Sequence, residues 1–259
     1  MAPEIGESAI ETIFLEERRY PPPEEFAKQA NAQPEIYEES FDAFWEREGR
    51  ERIAWFEPFT ELYQWEPPYA KFYLGGKLNV CFNCVDRHVE AGKGGKVAYY
   101  WEGEPAGDRR EITYADLQQD VVRCANALKK VGVKKGTPVA IYMGMVPELA
   151  VAMLACTRIG APHTVVFGGF SADSLSGRMN DMECEVLITQ DEAWRRGSTV
   201  PLKKTADDAM AAAPGVRASV VLRRTGNDVS MQDGRDHWWH ELEDGVSDDP
   251  SSCPCEPMD

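Results

Sequence analysis

The chain has 259 residues, 43% of them hydrophobic and 28% charged, with a formal net charge of −16. That is too apolar for a disordered chain, and Lys and Arg nowhere cluster as a duplex-binding surface requires, so nucleic acid is excluded as an expected partner. The acidity lies at the ends: residues 1–50 carry 13 acidic and 5 basic side chains and residues 226–259 carry 10 and 1, which predicts two solvated flanks on a nearly neutral body of one large domain or two small ones.

The first residues, MAPEIGESAIETIF, are acidic and lack a basic region followed by an apolar one, so no secretory leader is expected and the cytoplasm is the expected compartment. Glu35 to Arg50 has helical spacing, with Tyr37, Phe41, Phe44 and Trp45 on one side. From there to about residue 93 the chain reads as extended and turning, rich in Pro and aromatics, a segment with little regular structure of its own. The expected division is therefore 1–93 and 94–259. Gly92-Lys-Gly-Gly-Lys96 lacks the spacing of a phosphate-binding loop and precedes a strand, so a turn is expected.

Beyond residue 94 strands alternate with helices. Val97–Trp101 and Arg110–Thr113 predict a hairpin, and Thr113 with Asp116 predicts the start of a helix that stops at Gly132. Strands are expected at 138–142, 164–167, 185–189 and 218–222, and helices from Pro147 to Gly160, from Ser171 to about Asp181 and from about Leu202 to Ala213. The most apolar stretch, Val139 to Ala161, is interrupted by Pro147, Glu148 and Arg158, so no membrane span is expected. This order predicts an α/β fold, a mostly parallel sheet flanked by helices, preceded by an irregular N-terminal segment. Ligands of such sheets bind at the carboxyl ends of the strands, which singles out Gly168-Gly169-Phe170-Ser171 and the loop Gln190 to Thr199.

Gly169-x-Ser171 has the position of a hydrolase nucleophile elbow, but Asp173 replaces its last Gly and no His is nominated as base, so Ser171 reads better as a helix cap. The paired glycines let a ligand approach the backbone at a helix start that favours an anion. Arg195 and Arg196 could hold phosphate by forked hydrogen bonds, or form a solvated turn paired with Asp191 and Glu192. His237 and His240 would lie on one side of a helix, with a Trp face buried, and no third metal ligand stands beside them. The seven cysteines are odd in number, which argues for reduced, buried thiols. Cys81-x-x-Cys84 lacks a second pair of zinc spacing, because Cys253-x-Cys255 is too close, so no metal is expected.

Longer blocks of sequence add to this. They include Trp55-Phe-Glu-Pro-Phe59, Gly75-Gly-Lys-Leu-Asn79, Asn83-Cys-Val-Asp-Arg-His88, Ala152 to His163, Val165-Val-Phe-Gly-Gly-Phe-Ser171, Pro201-Leu-Lys-Lys204 and Gly234-Arg-Asp-His-Trp-Trp239. In order, from about Tyr37 to about Glu243, the chain resembles the acetyl-CoA synthetase family, the AMP-forming acetate–CoA ligases of the adenylate-forming superfamily. The resemblance implies two steps: acetate and ATP with Mg²⁺ give acetyl-adenylate and pyrophosphate, then CoA displaces AMP.

It further implies that Phe167, Gly168, Gly169, Arg195 and Val200 hold the CoA nucleotide, with Arg196, Gly197 and Ser198 in the same loop. Ser198 stands where the family usually has a second basic residue and Arg196 where it has a small one, so Arg196 offers that charge from a neighbouring position. Gly144 stands where Pro is usual, a change expected only to loosen a turn. The phosphate loop, acetate pocket and catalytic Lys of the family have no match here. The chain is therefore expected to be the first part of such a ligase, with no catalytic residue of its own, inactive without the remainder and prone to aggregate alone, its last residues a polar linker. The alternatives are a non-catalytic CoA-binding stub and part of a propionate or acetoacetate ligase.

Overall fold

The computed structural model describes residues 18–259, so the expectation of no leader, which rests on residues 1–17, lies outside the described residues. The chain divides into two compact units, one ending at Arg47 and one running from Glu48 to Asp259.

The first unit contains a short helix, Glu24–Lys28, and a single 3₁₀ turn, Pro34–Glu38. The helix expected from Glu35 to Arg50 is broken: Glu39 is extended, at φ −73° and ψ 140°, and α1 (Phe41–Arg52) starts afresh. The break has a local cause. The Ser40 hydroxyl accepts the Ala43 N–H at 3.2 Å, which caps α1 and favours an extended residue before it.

The second unit corrects the expectation of an irregular segment before residue 94. β1 (Glu61–Glu66) and β2 (Tyr69–Leu74) form an antiparallel hairpin across a cis Pro67-Pro68 peptide. Residues 80–93 are helical with widened π turns, and Gly92, at φ 76°, ends the run. Trp55, Phe59 and Tyr73 pack edge to face beside the hairpin, with ring centroids 4.9–5.5 Å apart. The expected second hairpin is present as β3 (Val97–Glu102) and β4 (Arg109–Thr113).

Thr113 then opens α2 (Tyr114–Lys130) with a reciprocal cap. Its hydroxyl accepts the Asp116 N–H at 3.2 Å, and Asp116 accepts the Thr113 N–H at 3.0 Å. Next come β5 (Val139–Met143), α3 (Pro147–Ile159), β6 (His163–Phe167), α4 (Ala172–Asp181) and β7 (Val186–Gln190). Pro147 fits the first turn of α3, and Gly160, at φ 78°, closes it in the left-handed region that Gly tolerates best.

Two short strands, β8 (Ala193–Arg195) and β9 (Ser198–Val200), precede α5 (Leu202–Ala211) and β10 (Ala218–Leu222). β11 (Asp236–Trp238) and α6 (Trp239–Glu243) follow. The helix expected to carry both His237 and His240 is thus not formed. His237 lies on β11, which pairs with β10, and only His240 is helical. Trp238, extended at ψ 131°, separates them.

The central sheet is fully parallel, in the order β11-β10-β7-β5-β6. Val139, Ile141 and Met143 of β5 pack into one core with α2 and α3 residues such as Val121, Leu128 and Ala155. Ala140 and Tyr142 pack on the other face against Leu175 of α4 and Leu202 and Ala206 of α5. A sheet covered on both faces buries every residue of β5 and β7, which is why β5 reads as an unbroken apolar run and β7 opens on one, Val186-Leu-Ile188, before Thr189 and Gln190.

The second acidic flank is not simply solvated. Asp236 is buried, where Lys203, Arg235, Ser219 and the Gln232 N–H converge on its carboxylate. The last residues are not a free linker either. Cys253 is buried, the Glu256 N–H donates to the Arg158 carbonyl at 2.9 Å, and Met258 bridges to Leu78.

Candidate ligand site at the carboxyl ends of the strands

β5, β6 and β7 all end at one edge of the sheet, and a pocket of about 360 Å³ opens there. Phe167, Gly168, Arg195 and Val200 line it, as do Trp101 from the β3–β4 hairpin and Arg224 from the loop after β10. Of the residues expected from sequence, these four line one cavity and Gly169 touches it through Arg195. Arg196 and Gly197 form the turn between β8 and β9, and Ser198 begins β9.

Local geometry accounts for each position. Phe167 is the last residue of β6, half exposed at the sheet edge, and its carbonyl accepts the Phe170 N–H at 3.0 Å to turn the chain. A Cβ on Gly168 would lie 2.9 Å from the Met143 carbonyl oxygen, so the turn packs backbone to backbone. A Cβ on Gly169 would overlap the Arg195 guanidinium. That guanidinium stands 4.9 Å from the centre of the Phe167 ring, a cation–π contact that orients the charge without neutralising it.

The Arg loop is a two-residue hairpin rather than a flexible turn. Arg196 and Gly197 both have positive φ, 53° and 75°, which suits the twist of the flanking strands. The Gly197 N–H donates to the Glu104 carboxylate, tying this hairpin to the β3–β4 hairpin. The alternative of pairing with Asp191 is not realised. Asp191 is fully buried and accepts N–H groups from Glu192, Arg224, Thr225 and Gly226 at 2.7–3.2 Å, fixing the loop that carries Arg224.

The floor is built by hydrogen bonds. Gln190 accepts the Gly144 N–H at 2.8 Å and donates to the Glu192 carbonyl at 2.7 Å. Gly144 therefore does more than loosen a turn, because a Pro in its place has no N–H to give Gln190. Tyr142 donates to the Phe170 carbonyl at 2.9 Å, and burial raises its phenol above the ordinary value. Trp101 donates to the Met145 carbonyl at 2.9 Å, which holds its ring over the pocket. Arg224, paired with Asp108, lies 5.2 Å from the centre of that ring.

Trp101, Glu104 and Arg224 were not singled out by sequence. Gln190 was reached only as the first residue of the loop Gln190 to Thr199, through the rule that ligands of such folds bind at strand ends. The arrangement offers two guanidinium groups, aromatic faces and close backbone, which suits an aromatic ligand carrying phosphate.

Ser171 is not placed as a nucleophile. Its hydroxyl accepts the Ser174 N–H at 3.3 Å as the cap of α4, and His163 stands at the opposite end of β6. Among the described residues, metal-type ligands draw together in a different place, at Cys81, Asp86 and Cys255. Cys84, expected to be buried, is exposed.

A parallel sheet with helices on both faces and a pocket at its strand ends defines the class: an α/β domain of the kind that binds ligands at the carboxyl ends of its strands. The AMP-binding enzyme family matches residues 85–256, and the chain belongs to that family. The acetyl-coenzyme A synthetase N-terminus family matches residues 28–84.

Among relatives, the acetyl-coenzyme A synthetase of Rubrobacter xylanophilus is 48% identical over 246 residues, 93% of this chain and 38% of the relative. That of Mycolicibacterium smegmatis is 51% identical over 232 residues, 88% of this chain and 25% of the relative. The chain thus spans well under half the length of these relatives. In structure it is similar to the acetoacetyl-CoA synthetase from Streptomyces lividans, with a TM-score of 0.73 at 22% identity over 84% of this chain and 32% of that one, a likeness of fold.

Proposed function

We propose that the chain is part of an AMP-forming acetate–CoA ligase and that its pocket receives the nucleotide end of CoA. The observation that carries this reading is Arg195, held on the Phe167 ring above Gly169 with no carboxylate paired to it among the described residues. A guanidinium so held forms charge-assisted hydrogen bonds to phosphate worth about 1.5–3 kcal/mol. In this reading Phe167, Gly168, Gly169 and Val200 shape the surface, while Arg196, Gly197 and Ser198 carry the loop, with Arg196 adding charge at the rim.

Acetate and ATP are the further substrates, consistent with the relatives' names, and the remainder of such an enzyme is the natural partner. Mg²⁺ would accompany ATP, but the Cys81, Asp86 and Cys255 set does not suit it. Two of its three donors are thiols, which Mg²⁺ disfavours, and Arg158 already holds the carboxylate. Propionate or acetoacetate in place of acetate would leave this pocket unchanged, because the proposal concerns only the CoA end.

Equilibrium titration with CoA and with pantetheine tests the reading. The proposal requires saturable binding of CoA and none of pantetheine, which lacks the nucleotide. Equal binding of both, or of neither, would contradict it.

A further inference from the structure

Sequence spacing pairs Cys81 with Cys84 and Cys253 with Cys255, whereas the fold pairs across them. Cys81 is fully buried and Cys84, three residues on, is exposed, so the two point to different sides of their helix. The terminal strap instead brings Cys255 to Cys81. Both thiols donate to the same oxygen, Asp86 Oδ2, each at 3.6 Å, and the three ligand atoms lie within 4.8 Å of one another.

We infer that Cys81 and Cys255 form a reversible disulfide, a modification site outside the strand-end pocket. A disulfide needs the sulfurs about 2.05 Å apart, so they close by less than roughly 3 Å. The surroundings tolerate the change. Asp86 loses two weak thiol donors but keeps Arg158, at 2.8 and 2.9 Å to its two oxygens, and the Gln118 amide at 2.9 Å. No buried charge is left alone. The same arginine argues against a resident cation, because its guanidinium already fills the position beside the carboxylate and lies 3.7 Å from the Cys81 sulfur.

The chemistry runs from the more accessible thiol. Hydrogen peroxide oxidises Cys255 to a sulfenic acid as its O–O bond breaks, releasing one water. Cys81, held against the same Asp86 oxygen, then attacks that sulfur. The S–S bond forms, and the sulfenic oxygen leaves as a second water with the Cys81 proton. Two thiols lose two electrons and the peroxide gains them. The product ties the strap around Glu256 and Met258, which already bonds to Asn79, Arg158 and Leu78, to the helical run at 80–93.

Peroxide treatment of the reduced chain in chelator, alkylation of remaining thiols and tandem mass spectrometry of tryptic peptides test this. Cys81 shares a peptide with Cys84, and Cys255 with Cys253, so a Cys84→Ser/Cys253→Ala variant assigns the sulfurs. Fragment ions of the unsubstituted chain assign them if that variant fails to fold. The expected result is one intramolecular bond between Cys81 and Cys255, reversed by dithiothreitol and lost in Cys255→Ser. Recovery of both thiols in alkylated form at peroxide levels that oxidise Cys84 would overturn the inference. So would a bond through Cys84.

Discussion

Arg195 occupies the space that a side chain on Gly169 would fill, and the missing Cβ is what lets its guanidinium lie over the Phe167 ring. The neighbouring Gly168 meets a different constraint, the Met143 carbonyl. The two glycines therefore predict different outcomes. Gly169→Ala displaces the Arg195 guanidinium and presses on the edge of the Phe167 ring, 2.9 Å away, both side chains rather than backbone. It should leave thermal stability within about 1 kcal/mol and lower CoA affinity, as read by denaturant melts and calorimetry. Gly168→Ala presses on backbone and should cost about 1–3 kcal/mol in the same melts.

Most of the parallel sheet was legible because its signals are local. Thr113 with Asp116, Pro147 and Gly160 mark helix ends, β5 is an apolar run of strand length and β7 begins with one. The β1–β2 hairpin was not legible. Pro67-Pro68 in its turn reads as a break, and strands exposed on most positions show no alternation. β8 and β9, three residues each, are too short to carry a pattern. At the site, the strand-end rule and the family resemblance reached Phe167, Gly168 and Arg195. Trp101 and Arg224 come from distant segments, and only folding brings them there. The Cys81–Cys255 approach is hidden for the same reason, since spacing reports only near neighbours.

Acid should unfold the chain partly through Asp236. Burial alone would raise its carboxyl, but Arg235, the Gln232 N–H, Ser219 and Lys203 together hold it well below the ordinary carboxylate range. A folded value below the unfolded one gives stability that is whole above the unfolded value and is lost as pH falls through the folded one. Melting temperature should therefore fall between about pH 5 and pH 2, with a shallower slope in Asp236→Asn. At neutral pH that variant should lose about 3 kcal/mol, because Lys203, also buried, keeps only Asp207 and the Ser230 carbonyl.

Among the described residues, Arg158 and Asp86 are the most buried ion pair away from that cluster, their side chains 2% and 6% exposed. Arg158→Met leaves the carboxylate without a cation and removes the donor to the Cys253 carbonyl. The expected cost is about 3–5 kcal/mol in urea denaturation, and Arg158→Met/Asp86→Leu should recover much of it.

The chain by itself should not exchange labelled pyrophosphate into ATP when given acetate and Mg²⁺. Acetate itself supplies the attacking oxygen in that step, so what the chain must provide is a cradle for the ATP phosphates; its strand-end pocket is proposed to take CoA, and the chain spans 38% of the acetyl-coenzyme A synthetase of Rubrobacter xylanophilus. Exchange above background that depends on acetate would show that the chain activates the acid unaided.

The most direct test of the account is calorimetric titration of CoA into the chain and into Arg195→Ala, with matched melting temperatures as the control for folding. Losing one charge-assisted phosphate contact should weaken binding about tenfold or more, at about 1.4 kcal/mol per tenfold, and added salt should narrow the difference. Equal affinities for the two proteins at low salt would contradict the assignment of this pocket to the CoA nucleotide.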